Sequence, residues 1–139
     1  MKISRFGKNL VVRIDKGEEI VENLKKACMD YGIDAGSVSG IGASNDAVIG
    51  FFDTGKKKYH SHKVSGDHEI TSLTGNVSMM DGEVYLHLHI MLAGEDGAVV
   101  GGHLTSAVVS ATCEIVVGII DGALDRKKDE ETGLNLLEF

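Results

Sequence analysis

The sequence predicts an α+β fold: a mostly antiparallel sheet with one main helix. Three observations carry that expectation. Only the stretch after Asp15 has helical apolar spacing. Most of the remaining chain alternates over short segments. Turn signals built on glycine, asparagine and aspartate separate those segments, in a chain with 18 glycines and no proline.

The elements follow in order. Asn9 to Ile14 reads as a first strand. Asp15, three residues before Glu18, looks like the start of a capping box. Apolar residues then fall at Ile20, Val21, Leu24, Ala27, Cys28 and Tyr31, one buried helical stripe, with Glu22, Asn23, Lys25 and Lys26 on the wet side. Gly32 is placed to end the helix in a left-handed conformation. Ser37 to Ile41 and Ala47 to Asp53 read as two strands separated by Gly42-Ala43-Ser44-Asn45. Lys58 to Val64 alternates and pairs with the strand before it. Glu69 to Met79 follows, then a turn at Asp81-Gly82. Tyr85 to Ile90 is a strand whose region ends at Gly94-Glu95-Asp96-Gly97, and Val99 to Leu104 begins another. Glu114 to Ile120 is β-branched and reads as a buried strand. Leu134 to Phe139 forms a last one.

A length of 139 residues suits one domain, 1–139, with a real core. No apolar run approaches the roughly 20 residues of a spanning helix. Met1-Lys2-Ile3-Ser4-Arg5 lacks the apolar segment of a signal peptide, so a cytoplasmic protein is expected. The net charge of −7 disfavours a DNA backbone as partner. The basic runs Lys56-Lys57-Lys58 and Arg126-Lys127-Lys128 read as solvated turns. Cys28 and Cys113 form no CxxC and lie in apolar patterns, which reads as two buried thiols in a reducing compartment.

The chemistry concentrates in Tyr85-Leu86-His87-Leu88-His89-Ile90 and Gly101-Gly102-His103. A strand sends every second side chain to one face, so His87 and His89 project together, away from Leu86, Leu88 and Ile90. A third imidazole returning on a neighbouring strand would complete a three-nitrogen site for zinc or a similar ion. Spacing alone leaves a second reading open, in which these are polar residues on a wetted sheet face. Gly101-Gly102 implies either a close backbone approach or a bulge that aims His103.

Taken together, Glu69-Ile-Thr-Ser-Leu-Thr-Gly-Asn-Val-Ser78, His87-Leu-His89, Gly101-Gly-His103-Leu, Ser39-Gly-Ile-Gly-Ala43 and Glu114-Ile-Val resemble the plants and prokaryotes conserved (PPC) domain, also known as DUF296. The likeness covers nearly the whole chain. It implies an α+β fold with a curved antiparallel sheet, a trimeric assembly, and a divalent metal held by three histidines, which map onto His87, His89 and His103. In land plants the domain follows AT-hooks in nuclear DNA-binding proteins. This chain has no Arg-Gly-Arg-Pro core, and so is similar to the stand-alone prokaryotic members, some of which are labelled DNA-binding. The readings carried forward are a metal-binding oligomer, a DNA-associated regulator, and a metal-dependent enzyme acting on a small molecule at the ion.

Other candidates carry less. His60 and His62 share a strand face, but with lysines and serine around them they read as solvated, as does His68. Arg13, within Val11-Val12-Arg13-Ile14, pairs with an acid, binds an anion or faces solvent. Were the protein an enzyme, Glu114 would be the first candidate for a general base and Glu69 the second. No Gly-x-Ser-x-Gly elbow, P-loop lysine or dinucleotide fingerprint is present.

Overall fold

Eight strands and one helix make up the computed structural model, which describes residues 1–139. In chain order they are β1 (Lys2–Phe6), β2 (Asn9–Asp15), α1 (Ile20–Asp30), β3 (Gly36–Asp53), β4 (Lys58–Met80), β5 (Glu83–Ala93), β6 (Val99–Ile119), β7 (Asp125–Lys128) and β8 (Asn135–Glu138). Every pairing is antiparallel except the single parallel step Met79–Asp125 between β4 and β7.

The core follows the period of two. Leu10, Val12 and Ile14 of β2, Leu88, Ile90 and Leu92 of β5, and Cys113, Ile115 and Val117 of β6 are all fully or almost fully buried. Ile20, Leu24, Ala27 and Cys28 of α1 close over them. Burying one such leucine or isoleucine contributes roughly 1.5–3 kcal/mol. Both cysteines are free thiols, and burial pushes each up to about 12. A thiol held so far from ionisation is inert, as the sequence implied.

The helix starts later than the sequence suggests. Glu19, not Asp15, is the N-cap, and its side chain accepts the Glu22 N–H at 2.6 Å. A second Glu19 oxygen accepts the Ala107 N–H at 2.9 Å, which ties the helix start to β6. Asp15 and Glu18 instead close a turn: the Glu18 side chain accepts the Asp15 N–H at 2.8 Å. Gly32 is left-handed at φ +61, as expected, but Tyr31 is the C-cap and partly exposed.

The largest departure is in strand length. Segments read as six short strands are three long ones: β3, β4 and β6 run for 18, 23 and 21 residues. Gly42-Ala43-Ser44-Asn45 is not a turn. The pairing slips at Gly40/Gly42 and Ser44/Asp46, so the small residues make bulges within one strand. β3 pairs with both β4 and β6, and β5 pairs with the same two strands. The four therefore close on themselves, which requires a curved sheet. Two elements escaped the sequence reading altogether. β1 is mostly exposed and pairs only with β2. The run Arg126-Lys127-Lys128, read as a solvated turn, lies in β7, whose partner is the expected terminal strand β8.

Candidate metal centre

β5 separates its two faces cleanly. Val84, Leu88, Ile90 and Leu92 point into the core, while Tyr85, His87 and His89 line a cleft of about 760 Å³ on the other side. His103 of β6 stands directly opposite His89 in the β5–β6 register. Directly opposed residues bring their Cβ atoms to about 4.5–5.5 Å, close enough for two rings to meet. The third histidine therefore returns on the neighbouring strand, as the sequence anticipated.

The three rings form a triangle. Their centroids are 5.2 Å apart for His87–His89, 5.3 Å for His87–His103 and 5.6 Å for His89–His103. One ring nitrogen from each lies within 4.8 Å of the others. The Nε2 atoms of His87 and His89 are 3.3 Å apart. Zinc takes imidazole nitrogens at roughly 2.0–2.1 Å in a tetrahedron, which sets two ligand atoms about 3.3 Å apart. The three-imidazole donor set suits such a cation, and the His87–His89 spacing matches its tetrahedral edge, with one position left over.

Electrostatics favour the form that binds metal. Burial first, then the like charges of His103, Arg126 and His89, together hold the His87 pKa down at about 4. Burial, then His89, holds His103 below the ordinary histidine value. Neutral imidazoles keep a lone pair for a cation. The Tyr59 ring meets His103 edge-on at 5.9 Å, and its hydroxyl is 3.0 Å from Thr105 Oγ1.

The double glycine acts by close approach. A Cβ at Gly101 would meet the Ile90 carbonyl oxygen at 2.7 Å, and one at Gly102 would meet the Gly50 carbonyl oxygen at 2.6 Å. Both glycines sit in regular register with β5. The slip lies beyond them, where Val48 and Ile49 of β3 pair with Ser106 and Leu104.

The other candidates lie elsewhere. Glu114 is exposed on β6 opposite Arg13 and Ile41, and Glu69 is exposed opposite Ala43 and Ala93. Neither lines the histidine cleft. Arg13 pairs with Asp15 at 3.0 Å rather than with an anion at the site. His62 is exposed and His60 partly so, opposite Ile49 and Phe51 of β3. His68 is half-buried, with its Nδ1 2.7 Å from the Gly66 carbonyl oxygen.

Sequence reasoning missed Arg126. This residue is only 9% exposed and lines the same cleft as the histidines. Its Nε donates to Ser78 Oγ at 2.8 Å, Nη1 to the Asn135 carbonyl at 2.5 Å and Nη2 to Asn76 Oδ1 at 2.7 Å. The guanidinium also lies 5.0 Å from the centroid of the Tyr85 ring. Asn76 faces His87 across the β4–β5 register, so one cross-strand pair links arginine and histidine. No local pattern marks Arg126, because residues 48 and 50 positions away bury it.

Known proteins share this arrangement of elements. No curated protein matches the chain. A metal-containing protein from Archaeoglobus fulgidus is 41% identical over 100% of both chains, with a TM-score of 0.88. A plant- and prokaryote-conserved protein from Pyrococcus horikoshii is 33% identical over 99% of this chain and 94% of its own, at a TM-score of 0.87. A candidate DNA-binding protein from Bacteroides thetaiotaomicron is 36% identical over 99% and 96%, at 0.96. The family model described as the Plants and Prokaryotes Conserved (PCC) domain matches residues 1–121, a span that takes in all three histidines. With fold, motif order and family model in agreement, this chain belongs to the PCC (PPC) domain family.

Proposed function

We propose that the chain is a metal-binding module that holds a divalent ion, zinc by its donor chemistry, on His87, His89 and His103. One observation carries the reading: three ring nitrogens from two strands lie within 4.8 Å of one another. The metal-containing relative from Archaeoglobus fulgidus supports it. Three protein ligands leave a fourth position, where bound zinc would act as a Lewis acid towards water or a small ligand. Elemental analysis of purified protein tests the reading. Near-stoichiometric metal is expected, falling to background in His87→Ala/His89→Ala; a metal-free protein that takes up no zinc would defeat it.

The module is a homotrimer of single 1–139 domains in this reading, and it works in the cytoplasm. Ile41, Met91 and Val116 are exposed on strands, which gives subunits apolar surface to bury. Light scattering should return three times the mass of the chain, and a clean monomer would overturn the assembly. No helix is long and apolar enough to cross a membrane.

A DNA-associated regulator is the second reading, supported by the Bacteroides thetaiotaomicron relative. The net charge of −7 opposes direct contact with phosphates. A gel shift at low salt should show weak binding or none, whereas tight, salt-sensitive binding would favour this alternative. The enzyme reading gains nothing from Glu114 or Glu69, which lie outside the cleft.

A further inference from the structure

Arg126 presents an unusual charge. It is nine-tenths buried, yet all its partners are uncharged: a serine hydroxyl, an asparagine amide, a backbone carbonyl and a tyrosine ring. A buried cation ordinarily requires an anion, since desolvation costs several kcal/mol per ion. The chain has 21 acidic residues, and none lines this cleft. Three of the five guanidinium N–H groups are committed to neutral acceptors. One N–H remains on each terminal nitrogen, a fork suited to a carboxylate. The rest of the cleft is largely apolar, with Phe52, Leu134 and Leu137 among its lining residues. A pocket of this size, mostly apolar with a few convergent polar groups, is typical of small-molecule sites.

We propose that the cleft binds a small organic acid, with its carboxylate anchored by Arg126 and its apolar body against Phe52, Leu134 and Leu137. This deepens the metal reading, and one part rests on it: a divalent ion on three neutral imidazoles adds two positive charges to that of Arg126, with no protein carboxylate to balance them. The carboxylate then has two anchors. Arg126 and the leucines lie beyond residue 121, where the family match ends, so this wall of the cleft comes from the β7–β8 hairpin.

Calorimetric titration of the full chain with hexanoate tests the proposal, with hexanol as the uncharged control. Hexanoate should bind at least about tenfold more tightly than hexanol, and Arg126→Gln should remove that preference, as expected for loss of a charged hydrogen-bonding group. Equal binding of acid and alcohol, or unchanged affinity in Arg126→Gln, would overturn it. Because Arg126 also stitches the hairpin to β4, a second readout uses unmodified protein. The Arg126 Nε–H resonance should move as hexanoate is added, and a resonance still fixed at high hexanoate would sink the idea. Metal content is measured on the same samples. Full metal without hexanoate binding ends this inference and leaves the metal centre standing. Arginine-dependent hexanoate binding by protein that takes up no zinc supports it and ends the metal reading.

Discussion

Two pairs of histidines in this chain share the same spacing on a strand, and only one pair meets a third imidazole. His87 and His89 on β5 face His103 across the register. His60 and His62 on β4 face Phe51 and Ile49. The first pair gains a third imidazole from the neighbouring strand, whereas the second stands opposite apolar residues; each pair has one half-buried and one exposed ring, so burial does not separate them. Spacing of i, i+2 puts two rings on one face. What sets the proposed cation site apart is the residue that the adjacent strand delivers opposite them.

The largest expected effect breaks this comparison directly. His87→Ala/His89→Ala should lower bound metal to background, while His60→Ala/His62→Ala leaves it unchanged by elemental analysis. Loss of metal in the second variant would mean that spacing, not register, selects the ligands.

A pair of glycine variants sharpens it at the backbone. Gly75 lies on β4 behind the site, and a Cβ there would meet the His87 carbonyl oxygen at 1.9 Å. Gly75→Ala should cost about 3 kcal/mol or more in chemical denaturation, since backbone must move. Gly66, on the half of β4 that carries His60 and His62, has φ +93 and nothing within 4 Å of a built Cβ. Gly66→Ala should cost only about 1–2 kcal/mol, from backbone strain alone.

The acid limb of stability offers a smaller effect. In metal-free protein, His87 resists protonation until about pH 4, whereas an unfolded histidine takes its proton near pH 6.5. The unfolded state therefore binds more protons between those values, and stability falls as pH drops through that window. His87→Ala should flatten the pH 6.5 to 4 limb by about 1 kcal/mol, a figure reduced for solvent screening of a half-exposed ring. Identical acid limbs for the two proteins would refute this origin.

The smallest effect lies where the two regions touch. Tyr59 belongs to the same hairpin as His60, yet its ring edge meets His103. Tyr59→Phe removes the exposed hydroxyl contact with Thr105 and should cost about 0.5 kcal/mol. Metal content should stay unchanged.

Much of this architecture was legible in local pattern. The alternation in Tyr85 to Ile90 placed Leu88 and Ile90 inside and the two histidines outside, and the helical stripe from Ile20 to Cys28 is buried as spaced. Length was misread where small polar residues occur within strands. Ser44 illustrates the reason: its hydroxyl donates to the Val108 carbonyl at 2.8 Å, so a residue typical of turns is buried at a bulge. The same residue types serve turns and bulges, and a distant strand decides which is formed.

Periodicity is a property of neighbours along the chain, so the sequence by itself determined which faces are apolar, where the helix lies, and that residues 87 and 89 project together. Register and burial depend on residues far apart. Only the tertiary structure decided that His103 stands against His89, that six short segments are three long strands, and that Arg126 is enclosed by Asn76, Ser78 and Asn135 rather than left in water. An arginine in a basic run looks solvated until partners about 50 positions away surround it, because desolvation is set by the packed neighbourhood and not by the adjacent sequence.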